Sequence, residues 1–128
     1  MFRKSFFVLI AALVLTLAAC SSGPALSQSD NGGQVQVKVG GQIVIKLPGN
    51  PSTGYSWEAQ NLDASMFEQV GQPTFQVSGP AMPGAGGTVT LTFKALQAGT
   101  ASLTLVYHRS WETTVAPADT FSVTVTVK

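Results

Sequence analysis

From Gln34 to the end of the chain, apolar side chains recur on every second residue, and a segment with that spacing can bury one face only as an extended strand. Val35, Val37 and Val39 alternate with Gln34, Gln36 and Lys38, and Ile43, Ile45 and Leu47 with Gln42, Val44 and Lys46. Val89, Leu91 and Phe93 alternate with Thr88, Thr90 and Thr92, whose β-branched side chains suit a pleated surface better than a helix. Ala101, Leu103, Leu105 and Tyr107 repeat the pattern, and so do Phe121, Val123, Val125 and Val127. Two shorter runs lie between: Tyr55 to Ala59, with Trp57 as a core anchor, and Met66 to Val77, bent at Gly71 to Pro73 and carrying Phe67, Val70 and Phe75. Asn61 to Ser65 can make a single helical turn, and no segment holds a helical period over a useful length. The Gly40-Gly41 pair predicts a hairpin between the first two strands.

Seven short strands over residues 34–128, punctuated by Gly and Pro, describe an all-β, immunoglobulin-like Greek-key β-sandwich. Successive strands in such a frame run in opposite directions, so the connections after the second, fourth and sixth strands leave from one end.

The first 33 residues are of another kind. Arg3 and Lys4 precede an apolar run from Phe6 to Ala18, broken only by Thr16 and too short to span a bilayer comfortably. Leu17, Ala18 and Ala19 then lead into Cys20, a string that resembles a bacterial lipobox. The resemblance implies a lipoprotein signal peptide, residues 1–19, removed before Cys20, whose thiol takes a diacylglycerol and whose new amine is acylated with a fatty acid such as palmitate. Several acyl chains make a stable anchor where one chain is marginal. Residues 20–33, the lipidated Cys and a Ser, Gly, Asn and Gln stretch, are expected to be a flexible tether. The expected location is the cell envelope, facing the periplasm from the outer membrane if the organism is Gram-negative, because Ser21 and not Asp follows the cysteine.

Beyond Cys20 there is no thiol, so the mature domain has neither a disulfide framework nor a cysteine-based metal site. Taking Arg3 and Lys4 from the seven basic residues leaves five against six acidic ones, a formal charge of −1 with no run of either sign, which argues against nucleic acid as a partner. The single histidine, His108, has no second ligand at metal spacing, and no cofactor is implied. Ser110, His108 and Asp119 can be written as a triad, but three polar residues of one loop fit chance as well. An enzyme is not expected.

The three connections that share an end carry the informative residues. In Asn50-Pro51-Ser52-Thr53-Gly54-Tyr55, Pro51 freezes one dihedral and Gly54 permits φ > 0, which holds a narrow tip stiff. Gly84, Gly86 and Gly87 precede a strand and not a helix, so they are no phosphate cradle; either they let a partner's backbone approach or they loosen a long loop. Arg109 and Trp111 are the residue types that most often anchor interfaces, unless Trp111 folds onto the edge of the sandwich.

Together these motifs resemble the three inhibitory loops of the chagasin-like family of cysteine-peptidase inhibitors, whose pattern is Asn-Pro-Thr-Thr-Gly-Tyr or Phe, then Gly-x-Gly-Gly, then Arg-Pro-Trp. The resemblance extends from about Gln34 to Lys128. It implies reversible, competitive inhibition of a papain-like cysteine peptidase, with the first loop lying over the catalytic thiol without being cut; a monomer is the expected state. In that picture Thr53 sits nearest the peptidase's catalytic Cys and His, Ser52 lies beside it, Asn50 and Tyr55 hold the base, and Arg109 and Trp111 pack on the far wall of the cleft. Two residues depart from the pattern: Ser52 replaces Thr but keeps a hydroxyl, and Ser110 replaces Pro and loses a fixed φ. An envelope adhesion or assembly module that turned the same loops to a non-peptidase partner is the alternative that Ser110 favours.

Overall fold

Alternation gives each strand one apolar face, and two sheets that turn those faces inward satisfy all of them at once. A computed structural model of the chain, which describes residues 23–80 and 82–128, has this arrangement. Its strands are β1 (Ala25–Leu26), β2 (Gln34–Val37), β3 (Gln42–Gly49), β4 (Ser56–Ala59), β5 (Phe67–Gln69), β6 (Thr74–Val77), β7 (Gly87–Ala95), β8 (Gly99–His108) and β9 (Asp119–Val127). One sheet runs β1-β3-β7, with β5 and β6 both on the far edge of β7; the other runs β2-β9-β8-β4. Ile43, Ile45, Leu91, Phe93, Leu103, Leu105, Phe121 and Val125 meet between the sheets and are fully buried. Among the described residues, helical structure is limited to two 3-10 turns, Gln28–Asp30 and Pro51–Thr53.

All seven expected strands are present. The interrupted run from Met66 to Val77 splits at its predicted bend into β5 and β6, which makes eight, and β1 is the ninth. Trp57 is a core anchor as expected: it is buried, and its Nε1 donates to the Pro48 carbonyl at 2.9 Å.

Two expectations fail. The first two strands do not form a hairpin, since β2 pairs in parallel with β9 in one sheet while β3 pairs antiparallel with β7 in the other. The turn between them, closed by Gly41 N–H to Lys38 O at 2.8 Å and with Gly40 at φ +82°, carries the chain across the gap between sheets. Alternation says which face a strand buries; it is silent on which neighbour the strand joins.

The second correction concerns the tether. Residues 1–22, including the expected signal peptide and Cys20, lie outside the described residues, but the remainder of the expected tether is laid along the sandwich. Ala25 and Leu26 pair in parallel with Val44 and Ile45, and the chain then crosses to the other sheet, where Gly32 N–H donates to Ser122 O at 2.7 Å. Leu26 is the one large apolar side chain in a polar stretch, and it is buried. Removing that side chain with Leu26→Ala is expected to cost ~2 kcal/mol, read as a lowered urea midpoint with unchanged slope. A tether would show no change.

Candidate functional site

Strand direction decides what meets at each end. β3 ends at Gly49 opposite the first residue of β7, Gly87, while β8 ends at His108 opposite Ser56, the first residue of β4. The connections 50–55, 78–86 and 109–118 therefore leave from one pole, and the structure joins them by named bonds.

Asn50 is the hub of the first connection. It caps the 3-10 turn Pro51–Thr53, with Oδ1 accepting from Ser52 N–H at 3.2 Å and from the Ser52 hydroxyl at 2.6 Å. Its Nδ2 donates to Gly84 O at 2.9 Å, which ties the first loop to the second. Its backbone N–H donates to the Tyr107 hydroxyl at 2.9 Å, which ties the loop to β8. Pro51 sits at the start of the turn, where a missing N–H is harmless. The Thr53 hydroxyl donates to Asn50 O at 2.6 Å, and Gly54 N–H donates to Pro51 O at 3.0 Å. Gly54 ends the turn at φ +81°, a conformation that costs an L side chain ~1–2 kcal/mol. Pro51, Ser52 and Thr53 are exposed.

The third connection grips the first. Arg109 donates through Nε to Thr53 O at 3.0 Å and through Nη1 to Glu112 at 3.0 Å, and its guanidinium carbon lies 4.5 Å from the centre of the Tyr55 ring. The Glu112 carboxylate raises the Arg109 pKa further above its already high value. Glu112 N–H closes a β-turn onto Arg109 O at 3.0 Å, with Ser110 and Trp111 as its two central residues. Trp111 is 67% exposed, yet the edge of its ring lies over Gly54, where an added Cβ would stand 2.7 Å from Cη2. Trp111 is thus presented to solvent and supported from beneath, and is not folded into the sandwich.

Below these loops Tyr55, Tyr107 and Trp57 form a stack, with ring centres 5.3 Å and 5.0 Å apart along the series. It joins the buried core to the guanidinium of Arg109. Tyr107 and Glu112 were not singled out from the sequence. Alternation marks Tyr107 as the last inward residue of its strand, and a Tyr there needs a partner for its hydroxyl; nothing marks Glu112.

The second connection is divided in its role. Gly84 (φ +77°) and Gly86 lie on the exposed loop, and Gly86 O accepts from Ser78 N–H at 3.3 Å. Gly87 is a residue of β7 paired with both Gly49 and Val77, and a Cβ on it would stand 2.1 Å from Gln76 O. Close approach of β6 is the reason for glycine there. His108 and Asp119 do not face Ser110 as a triad would: His108 Nε2 is 2.8 Å from Glu58, and Asp119 accepts from Gln28 and from Thr120 N–H. Gly54→Ala is expected to lower stability by ~1–2 kcal/mol and to shift the fluorescence of Trp111 as its ring is pushed aside. An unchanged spectrum would mean that the ring does not rest on Gly54.

The family described as Chagasin family peptidase inhibitor I42 matches residues 36–125 of this chain. Chagasin of Trypanosoma cruzi is 32% identical over 92 residues, covering 67% of this chain and 81% of that protein. The crystal structure of the cysteine protease inhibitor EhICP2 from Entamoeba histolytica superimposes with a TM-score of 0.70 at 25% identity, covering 84% of this chain and 96% of that one. PbICP-C, solved in complex with falcipain-2, shares the fold with a TM-score of 0.56 at 18% identity, over 85% of this chain and 93% of that one. With three bonded loops at one pole of an immunoglobulin-like sandwich and a family match over most of its length, the chain belongs to the chagasin family of peptidase inhibitors and is not an enzyme.

Proposed function

We propose that this protein inhibits papain-like cysteine peptidases reversibly and competitively, with the three loops entering the active-site cleft as one wedge. The observation that carries this reading is that Thr53, Gly86 and Trp111 are exposed at one pole on loops bonded to one another. A rigid tip enters a cleft with little ordering cost, and ~1,600 Å² of buried surface is ordinary for such a pair.

Resistance to cleavage follows from the shape of the tip. A peptidase binds its substrate as an extended strand whose carbonyls it can polarise. Pro51 to Thr53 form instead a 3-10 turn, and the carbonyls of Asn50, Pro51 and Thr53 already accept from Thr53, Gly54 and Arg109. These bonds hold the turn closed, so the tip does not open into the extended backbone that attack by the thiol requires. Thr53 lies nearest the catalytic Cys and His with Ser52 beside it, the Gly84 to Gly86 backbone runs along one wall, and Trp111 packs on the other.

Ser110, the feature that favoured an adhesion or assembly role, occupies a turn that is closed without proline by Glu112, so the loop keeps its form. Relatives named as peptidase inhibitors support the inhibitory reading over that alternative. The Leu17-Ala18-Ala19-Cys20 string supports a second part of the proposal: the mature protein begins at Cys20 and is lipid-anchored there in the envelope. The mass of the mature N-terminal peptide tests this, and an unmodified Cys20 would refute it.

Progress curves with a fluorogenic substrate and papain should show inhibition by the chain from Ser21 to Lys128; no slowing at micromolar inhibitor removes the proposal. Trp111→Ala is expected to weaken binding by ~2 kcal/mol with thermal stability nearly unchanged, because the ring is a surface anchor. Equal loss of both would make Trp111 structural. Glu112→Ala should weaken inhibition by releasing the Arg109 guanidinium, while Ser110→Pro should tighten binding by roughly two- to five-fold through a less flexible free loop.

A further inference from the structure

The pole opposite the loops has its own character. β1 runs parallel to β3 and begins beside its first residues: Val44 N–H donates to Pro24 O at 3.1 Å, so the chain enters the sandwich at the far end from Asn50. At the same end lie the turn from Lys38 to Gly41, the residues after β7 and the last residue of β9. Val39 N–H donates to Lys128 O at 3.0 Å, and Gly40 N–H donates to Ala95 O at 2.8 Å. Lys38, Lys94 and Lys128 are all exposed there, and between them Val39 is 50% exposed and Leu96 38%.

Charge is distributed unevenly between the poles. Three of the five basic residues of the described chain are at this base, with Glu68 facing Lys94 across the ladder and Asp63 in the connection ahead of β5. The loop pole has Arg109 against Asp30, Glu58, Glu112 and Asp119. The end where the N-terminal segment enters is therefore close to charge balance but presents three exposed lysines, while the end that bears the loops is acidic.

We infer that the base formed by Lys38, Lys94 and Lys128, with Val39 and Leu96, is a membrane-contact surface fitted to anionic lipid headgroups, and that the sandwich stands on it with the loops pointing away from the bilayer. The inference rests on the lipid-anchor reading of Cys20. Only Ser21 and Ser22 separate that residue from Gly23, a reach of at most ~11 Å at ~3.6 Å per residue. An anchor that short keeps the base close to the headgroups, where lysines attract anionic lipid over about a Debye length. β3 lifts the loops by about 25 Å at ~3.4 Å per residue, clear of the surface and open to a peptidase in solution.

The test is lysine footprinting. The chain from Cys20 to Lys128 is coupled through its only thiol to a maleimide lipid in phosphatidylcholine vesicles containing one-third phosphatidylglycerol, then acetylated with a water-soluble reagent and mapped by mass spectrometry. Relative to the uncoupled chain, Lys38, Lys94 and Lys128 should be labelled at least about three-fold less, while Lys46, midway along β3, is labelled as before. Equal protection of Lys46, no protection of the three, or the same protection on pure phosphatidylcholine would each overturn the inference. Because the tether is imposed chemically, the outcome does not depend on acylation in the cell, which the N-terminal mass reads. Inhibition of papain by the coupled chain reports on the loops alone, so its loss with base protection retained would count against the inhibitor reading and not against the orientation.

Discussion

Asn50 makes the first two loops one object and sets them on the sandwich. Its side chain caps the turn that carries Ser52 and Thr53 and also holds the Gly84 carbonyl, while its backbone N–H is anchored on the Tyr107 hydroxyl. Each of these bonds lies near the surface and is modest in net free energy. Their value is geometric, since they fix a loop from β3 against one from β7 and set both on a ring that packs against the buried Trp57. Without Asn50 the second connection would be free of the first and would have to be ordered on binding.

Arg109 completes the arrangement from the other sheet. By bonding Thr53 O and lying over Tyr55 it fixes the tip from the side opposite Gly84, and Glu112 holds the guanidinium in place. The device suits a site whose task is to enter a cleft and survive there. Stiffness limits the entropy lost on binding, and the bonds that supply it engage the carbonyls of Asn50, Pro51 and Thr53. The turn at position 110 is closed without proline by Glu112 N–H on Arg109 O, which preserves its form while leaving the φ of residue 110 unfixed.

Much of this was legible in the sequence, for identifiable reasons. The Ile43, Leu91, Leu103 and Phe121 runs bury one face each, so periodicity found the strands and the core. Pro51 and Gly54 lie where turn chemistry requires them, and the order of the loop motifs carried the family resemblance. Periodicity could not reveal that β2 joins β9 and not β3, because pairing depends on which sheet a turn leads into. Nor could composition show that Leu26 docks: one apolar residue among polar ones looks like tether until a partner edge, that of β3, is known. Gly87 read as part of an open loop, but it is set by the close approach of Gln76 on the neighbouring strand β6, a pairing that the long connection 78–86 hides in the sequence. Glu112 was invisible for a similar reason, since its role lies in what Arg109 does elsewhere.

A crystal structure of the protein bound to papain would test the unity of the wedge most directly. If the three loops act together, Thr53, Gly86 and Trp111 will each lie within about 4 Å of the walls of the one active-site cleft, with every peptide bond from Asn50 to Tyr55 intact. A complex in which any of the three stands clear of that cleft, or in which the first loop is cut, would contradict it.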